Sequence, residues 1–417
     1  MKKQLVALLC ALVSVLTISA QDIAVGDWRR DVQYFGEELP RRHFNLFAQQ
    51  SEDEFRKEVE EVAEHCRRCS KLELAVRLQQ ILAGLGDTHT AIEFARYIDG
   101  NRILPVGLAG FGDDYVVLST TEEYTRLLGW NLVAVNGLPI KEVEQRFCSL
   151  VTVDNVSNVR SLVPLLLSFS ELHNLLGIYE GDRAELTFAK NGARERVEMS
   201  VVPLFQERKT LQPKDFALCI RNKSQFFTDE LIDNGAIYYV QYNKCWGREL
   251  ELKLGNPKRA EQLPAFQEFA DRVRATVKEG KMQKVVFDLR YNSGGSSAQF
   301  TELVEQLAEE LRQHPELKIY CVVGRSTFSS GILNALDLKL KLDARLVGEQ
   351  TAGKPNHFGE VRSFRLPESE IEVRYSTKYF KMLKNDMPTL APDVEIDLTV
   401  EDYVNGVDPV LEWVRAQ

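Results

Sequence analysis

The chain of 417 residues predicts an α/β domain built on a parallel-strand β-α-β-α-β core, with an N-terminal helical region and a domain of short strands before it. Three observations carry this. Capped amphipathic stretches fill residues 21–103, short alternating runs closed by Asn-Gly turns fill 104–204, and helix and strand patterns alternate from 205 to 417.

Before these elements, Lys2 and Lys3 precede an apolar run from Leu5 to Ile18 and then Ser19-Ala20-Gln21, the layout of a signal peptide at residues 1–20 that is cleaved after Ala20. The mature chain is therefore expected to be exported, periplasmic or secreted, and soluble. Cys10 follows Leu8-Leu9, not the small residue that a lipid-acceptor cysteine needs, so a lipoprotein is disfavoured. No later segment approaches the ~18 uninterrupted apolar residues of a membrane helix. The net charge of −9, with no basic stripe, argues against nucleic acid and anionic membrane surfaces as partners.

In the helical region, Ser51 with Glu54 and Ser70 with Glu73 are each a capping box. Phe55, Val59, Val62 and Ala63 form one apolar stripe, and Leu74, Leu78, Ile81 and Leu82 a second, on a helix expected to stop at Gly84 or Gly86. Cys66 and Cys69 make a lone CxxC placed inside a helix, without the second pair that a zinc site would use. The remaining cysteines, Cys148, Cys219, Cys245 and Cys321, are scattered and sit mostly in apolar runs, as buried free thiols do.

In the next region, Leu132 to Val135 is closed by Asn136-Gly137, and Leu186, Phe188, Asn191-Gly192, Val197 and Met199 read as a hairpin. Gly129 to Gly137 resembles the corresponding part of PDZ domains, which take a peptide's free C-terminus as an added strand. Residues 141–180 read as a helical insert within that PDZ-like domain.

From Phe205 onward, a helix over Pro264–Glu279 leads to a strand over Lys284–Leu289, and a helix carrying Phe300, Leu303, Val304, Leu307 and Leu311 follows. A strand over Ile319–Val323, a helix over Ser329–Leu340 and a strand over Arg345–Val347 complete the pattern. Ligand sites in open parallel sheets gather beyond the carboxyl ends of the strands. Three successive strands here end in Asn292-Ser293-Gly294-Gly295, in Ser326-Thr327-Phe328-Ser329 and in Gln350-Thr351-Ala352-Gly353-Lys354. All three loops are expected on one edge.

At the mouth of its helix, Ser329 is placed where unbonded backbone N–H groups and the helix dipole stabilise an anion. An oxyanion there would take the N–H of Ser330 and one from Gly294 or Gly295. A serine needs a base, and Lys354 serves only as a neutral amine, its pKa brought down from about 10.4 by burial away from carboxylates. Glu349 and Glu360 are the nearest acids in sequence, and neither is expected to pair with it. His89, expected to end a helix, is the other candidate base, and His357 and Phe358 are candidate pocket residues. No nucleotide, calcium or HExxH metal motif occurs, so no cofactor is expected.

Taken together, Gly86-Asp87-Thr88-His89-Thr90, Asp288-Leu289-Arg290-Tyr291-Asn292-Ser293-Gly294-Gly295, Thr327-Phe328-Ser329-Ser330-Gly331 and Gly348-Glu349-Gln350-Thr351-Ala352-Gly353-Lys354 resemble the motifs of the C-terminal processing (tail-specific) serine peptidases, the family that includes the tricorn core. The resemblance spans nearly all of the mature chain and implies a ClpP/crotonase-like catalytic domain at 205–417 and a polypeptide or peptide substrate. It maps the nucleophile onto Ser329, the general base onto Lys354 25 residues later, and the oxyanion amides onto Ser330 and Gly294 or Gly295. Many members carry a glutamine four residues after the lysine, where this chain has Phe358, and the tricorn-like branch uses a histidine as base. Two functions follow as expectations: peptide hydrolysis through a Ser/Lys dyad and an acyl-enzyme, or peptide or small-ligand binding on the same fold without turnover.

Overall fold

The computed structural model describes residues 25–417, so the expected signal peptide and Cys10 lie outside the described residues. Two compact units divide them. One holds the chain up to Leu211 together with Asn356–Lys381, and the other holds Gln212–Pro355 with Met382–Gln417.

The first unit opens with helices α1 (Arg29–Arg42), α2 (Glu52–His65) and α3 (Lys71–Gly84). Val32, Phe35, Gly36 and Leu39 recur at helical spacing on the buried side of α1, and Phe55, Val59 and Val62 do so on α2. A Cβ at Gly36 would stand 2.8 Å from Val59 Cγ1, so the missing side chain lets the two helices approach. Ser51 closes its capping box in full, whereas Ser70 closes half of one. Its hydroxyl accepts the Glu73 N–H at 3.1 Å, but the Glu73 carboxylate turns to His65 at 2.6 Å and Arg77 at 3.0 Å. The CxxC lies beyond the helix and not inside it. Cys66 begins a 3-10 turn after α2, and Cys69 enters a two-residue strand that pairs with Val25–Gly26. The six described cysteines are free thiols, and no metal-binding group of His, Cys, Asp or Glu occurs among the described residues.

A seven-stranded sheet follows, including β1 (Val106–Phe111), β2 (Asp114–Thr120), β3 (Asn131–Val135), β4 (Arg183–Lys190) and β5 (Ala193–Ser200). The β4–β5 hairpin turns on Asn191 and Gly192, both at positive φ as a tight two-residue turn demands. Between β3 and β4 lie α4 (Ile140–Cys148), α5 (Val156–Leu166) and α6 (Ser170–Leu175). His173 on α6 is buried, stacks on Tyr179 at 5.1 Å and bonds the Leu167 carbonyl at 2.8 Å. The strands His357–Arg365 and Glu372–Phe380 form a separate hairpin, extended by Ala91–Ile92.

In the second unit, β6 (Phe227–Ile232) lies antiparallel to β7 (Ile237–Tyr242) at the edge of a six-stranded sheet. The others, β8 (Lys284–Asp288), β9 (Lys318–Val323), β10 (Arg345–Gly348) and β11 (Val394–Glu395), run parallel in that order. Helices α7 (Phe266–Glu279), α8 (Ala298–Leu311) and α9 (Ser330–Leu342) alternate with these strands. Strand residues of even and odd number face opposite ways. Val285 and Phe287 accordingly join the core under α7, α8 and α9, while Tyr239, Val286, Tyr320, Val322 and Val347 pack with Val410, Leu411 and Val414 of the C-terminal helix α10 (Pro409–Arg415). Burial on both faces explains why these strands read as unbroken apolar runs. Among the described residues no helix is long and apolar enough to cross a membrane.

Candidate functional site

The parallel register of the second unit aligns Asp288 with Val322 and Val323 with Gly348, which brings the loops after β8, β9 and β10 to one sheet edge. Ser329 sits in the second of these loops, immediately before α9. Its backbone has φ +51° and ψ −124°, a combination that costs an L-residue of order 1–3 kcal/mol. The Ser329 side chain does not cap α9, the ordinary use of a serine at that position.

The glycine loop lies directly against this serine. A Cβ on Gly294 would meet Ser329 Cβ at 2.9 Å and Ser330 N at 3.2 Å, and Gly294 and Gly295 have φ of +103° and +134°. Both are positions that only glycine occupies without strain. The two amides are not equivalent, because the Gly294 N–H donates to Asn292 Oδ1 at 2.9 Å. The Gly294 carbonyl accepts the Cys245 N–H at 3.2 Å, and a planar trans peptide then turns the Gly295 N–H away from Cys245. The Ser330 hydroxyl donates to the Gly295 carbonyl at 2.8 Å. Among the described residues neither the Gly295 N–H nor the Ser330 N–H donates a hydrogen bond, so these two are the donors open to an anion.

Lys354 follows Gly353, whose place against the Phe328 ring leaves a Cβ only 2.9 Å from that ring, and Ala352 N–H bonds the Thr327 carbonyl at 3.0 Å. The loops bearing Ser329 and Lys354 therefore touch one residue away from each. Lys354 is half-buried. Glu349 is taken by Arg325, with Nε to Oε2 at 3.0 Å, and Glu360 faces Lys378 at 3.8 Å. Asp288 and Arg290, the conspicuous charges of the glycine-loop motif, are both tied into structure. Arg290 Nε bonds Asp288 at 3.0 Å, and its Nη1 bonds Asp408, the N-cap of α10, at 3.0 Å.

His89, His357 and Phe358 belong to the first unit. His89 does not end a helix, since α3 stops at Gly84 and a positive-φ Gly86 turns the chain before it. Its N–H bonds Asp87 Oδ1 at 2.9 Å, and its ring stacks on His357 with centroids 5.4 Å apart. Burial pushes the His89 imidazole down to about 4, against the upward pull of the Asp87 carboxylate, so the ring is neutral near pH 7. Burial by itself would raise Asp87, yet hydrogen bonds led by that from His43 hold it at about 2. His43 Nε2 donates to Asp87 at 3.0 Å while Nδ1 accepts the Asn45 N–H at 3.1 Å, and Thr90 adds its hydroxyl at 2.5 Å. Phe358 packs on His43 at 5.3 Å and on Tyr379 at 4.8 Å, an aromatic role.

Sequence reasoning passed over Asn292 and the pair His43 and Asp87. Asn292 had a local signal, because an asparagine two residues before a glycine readily accepts that glycine's N–H.

No protein-family model matches this chain, and no curated protein matches its sequence. Solved structures do. Mature CPAF complexed with lactacystin matches over 94% of this chain and 97% of its own at 12% identity, with a TM-score of 0.63. This chain has the fold of mature CPAF. A second structure of mature CPAF gives a TM-score of 0.58 at 12% identity, covering 93% of this chain and 95% of that one. A photosystem II D1 C-terminal processing protease aligns at 16% identity with a TM-score of 0.41, over 92% of this chain and 98% of its own. The likeness to mature CPAF covers residues of both units.

Proposed function

We propose that this chain is an exported serine peptidase that hydrolyses peptide bonds of polypeptide or peptide substrates through an acyl-enzyme on Ser329. One observation carries the reading: a serine in a strained backbone at the mouth of a buried helix, held against a glycine loop, with two backbone N–H groups left for an anion. The motif resemblance to the C-terminal processing peptidases and the CPAF fold support it.

In this mechanism Lys354 takes the Ser329 proton as Oγ attacks the scissile carbonyl. The negative charge that develops on the carbonyl oxygen falls to the N–H groups of Gly295 and Ser330, each worth about 3 kcal/mol. Collapse expels the amine with the proton returned from Lys354, and water then releases the acyl group by the same route. The strand module at 104–204 is read as PDZ-like and the second unit as a ClpP/crotonase-like core, so that extended chain ends are the substrates. No cofactor enters the mechanism.

A second reading assigns the proton to His89. It is favoured by an imidazole that is neutral near pH 7 and stands beside an ionised, hydrogen-bonded Asp87.

Three variants test the proposal on a panel of peptides. Ser329→Ala is expected to abolish turnover while leaving the fold intact, and undiminished turnover refutes the mechanism. Lys354→Ala is expected to lose far more than His89→Ala, and the opposite ranking moves the base to the histidine. Peptide binding without turnover, with no covalent labelling of Ser329 by a fluorophosphonate, would leave a binding protein on the same fold.

A further inference from the structure

Asn292 uses its backbone and its side chain to join four segments of the second unit. It is fully buried. Its Nδ2 donates to the Tyr242 carbonyl at the end of β7 at 2.9 Å, and its Oδ1 accepts the Gly294 N–H at 2.9 Å and the Cys245 thiol at 3.2 Å. Its own carbonyl accepts the Phe328 N–H at 3.0 Å. Gly331 in the first turn of α9 lies so close that a Cβ there would be 2.4 Å from the same carbonyl oxygen. One residue thus touches the strand end, the Cys245 segment, the glycine loop and the serine loop.

The consequence lies in the peptide planes. A loop of two consecutive glycines has many backbone conformations open to it, and an N–H that rotates freely stabilises an anion poorly because it must be reoriented during the reaction. By accepting the Gly294 N–H, Asn292 fixes the plane before Gly294, while the Cys245 N–H fixes the plane after it through the Gly294 carbonyl. The second of these planes carries the Gly295 N–H. The Ser330 hydroxyl then holds the far side of Gly295 by its carbonyl.

We propose that Asn292 is a positioning residue for catalysis, which holds the glycine loop so that the Gly295 N–H and the Ser330 N–H act together on the oxyanion while the Gly294 N–H takes no part. This inference rests on the peptidase reading above. It assigns the side-chain amide a role through the loop, with no contact to substrate.

The test compares wild type, Ser329→Ala, Asn292→Ala, Asn292→Asp and Ser330→Ala in the full chain, measuring kcat, KM, thermal unfolding and affinity for a peptide boronate, whose adduct with a serine is tetrahedral. Asn292→Ala is expected to lower kcat by about 100- to 1000-fold with KM within about twofold, the scale of losing one oxyanion donor. Boronate affinity should fall alongside kcat/KM across the series. Asn292→Asp keeps an acceptor for the Gly294 N–H and should lie between Asn292→Ala and wild type, which keeps the test open should the alanine variant not fold. Ser330→Ala should lower kcat in the same sense.

Turnover lost in Ser329→Ala but kept within about threefold in the Asn292 variants overturns this inference alone. So does a pattern in which kcat falls only as far as the folded fraction does. No turnover in wild type, or turnover that survives Ser329→Ala, overturns the peptidase reading and this inference with it.

Discussion

His43 Nε2 donates to Asp87 Oδ2 at 3.0 Å, with both side chains buried in the first unit. The bond joins the end of α1 to the turn after α3 and sets the carboxylate that receives the His89 N–H. Replacing His43 by alanine leaves a buried anion short of a donor, which typically costs 3–5 kcal/mol where a charge loses its partner and about 1–3 kcal/mol where a neutral donor is lost. The expected loss is about 2–3 kcal/mol, read from the urea midpoint at pH 7. Asp87→Asn should cost less than Asp87→Ala, because the amide keeps an oxygen that accepts from His43 or Thr90.

Stability should depend on pH through the buried imidazoles. His89 and His173 are both pushed down to about 4 by burial, from an unfolded value near 6.5. Between those limits the unfolded chain binds more protons, so unfolding free energy rises with pH; it is fully present above about 6.5 and lost as pH falls through about 4. Each ring contributes about 3 kcal/mol over that window. His173→Phe should flatten the pH dependence of the melting temperature between pH 4 and 6.5, and an unchanged slope would contradict the assignment. Asp87, held at about 2, adds stability that is present above about 3.8 and lost on further acidification.

Ser329→Gly should separate stability from function. Glycine accepts φ +51° and ψ −124° without strain, and that relief of order 1–3 kcal/mol outweighs the 0.5–1 kcal/mol of extra chain entropy. The variant is expected to unfold about 1 kcal/mol later than wild type in calorimetry and to show no turnover.

Gly331→Ala should do the reverse. Its Cβ would lie 2.4 Å from the Asn292 carbonyl oxygen, a backbone atom that cannot yield without moving the glycine loop. A loss of about 2–4 kcal/mol and of most turnover is expected. Gly235→Ala is the comparison for strain without a clash, since that glycine has φ +86° and nothing within 4 Å of its Cβ position. It should cost about 1 kcal/mol and spare turnover.

Arg290→Leu is expected to destabilise by about 3–5 kcal/mol, because it removes the cation shared by Asp288 and Asp408, both buried. Loss of protection at α10 in hydrogen exchange would accompany it, since Asp408 caps that helix.

Much of the second unit was legible as pattern. Apolar runs such as Val285-Val286-Phe287 and helices with Phe300, Leu303, Val304 and Leu307 on one side are local signals, and strands buried on both faces have few alternatives. The edge on which Gly294, Gly295, Ser329 and Lys354 gather followed from parallel order alone. Less legible were features whose partners lie far along the chain. The half-closed box at Ser70 depended on His65 and Arg77 competing for Glu73, and the CxxC left its helix to pair with Val25–Gly26.

By itself the sequence determined which residues are candidates for the chemistry and to which strand ends they are attached, because periodicity and turn residues are written within a few positions of each other. Only the tertiary structure decided which glycine amide is open to an anion, that Asn292 holds the loop, and that Asp87 joins His43 to the His89 turn. Those outcomes rest on hydrogen bonds between residues 2 and 44 positions apart, and a backbone N–H or carboxylate has no preferred partner until folding removes water as the alternative.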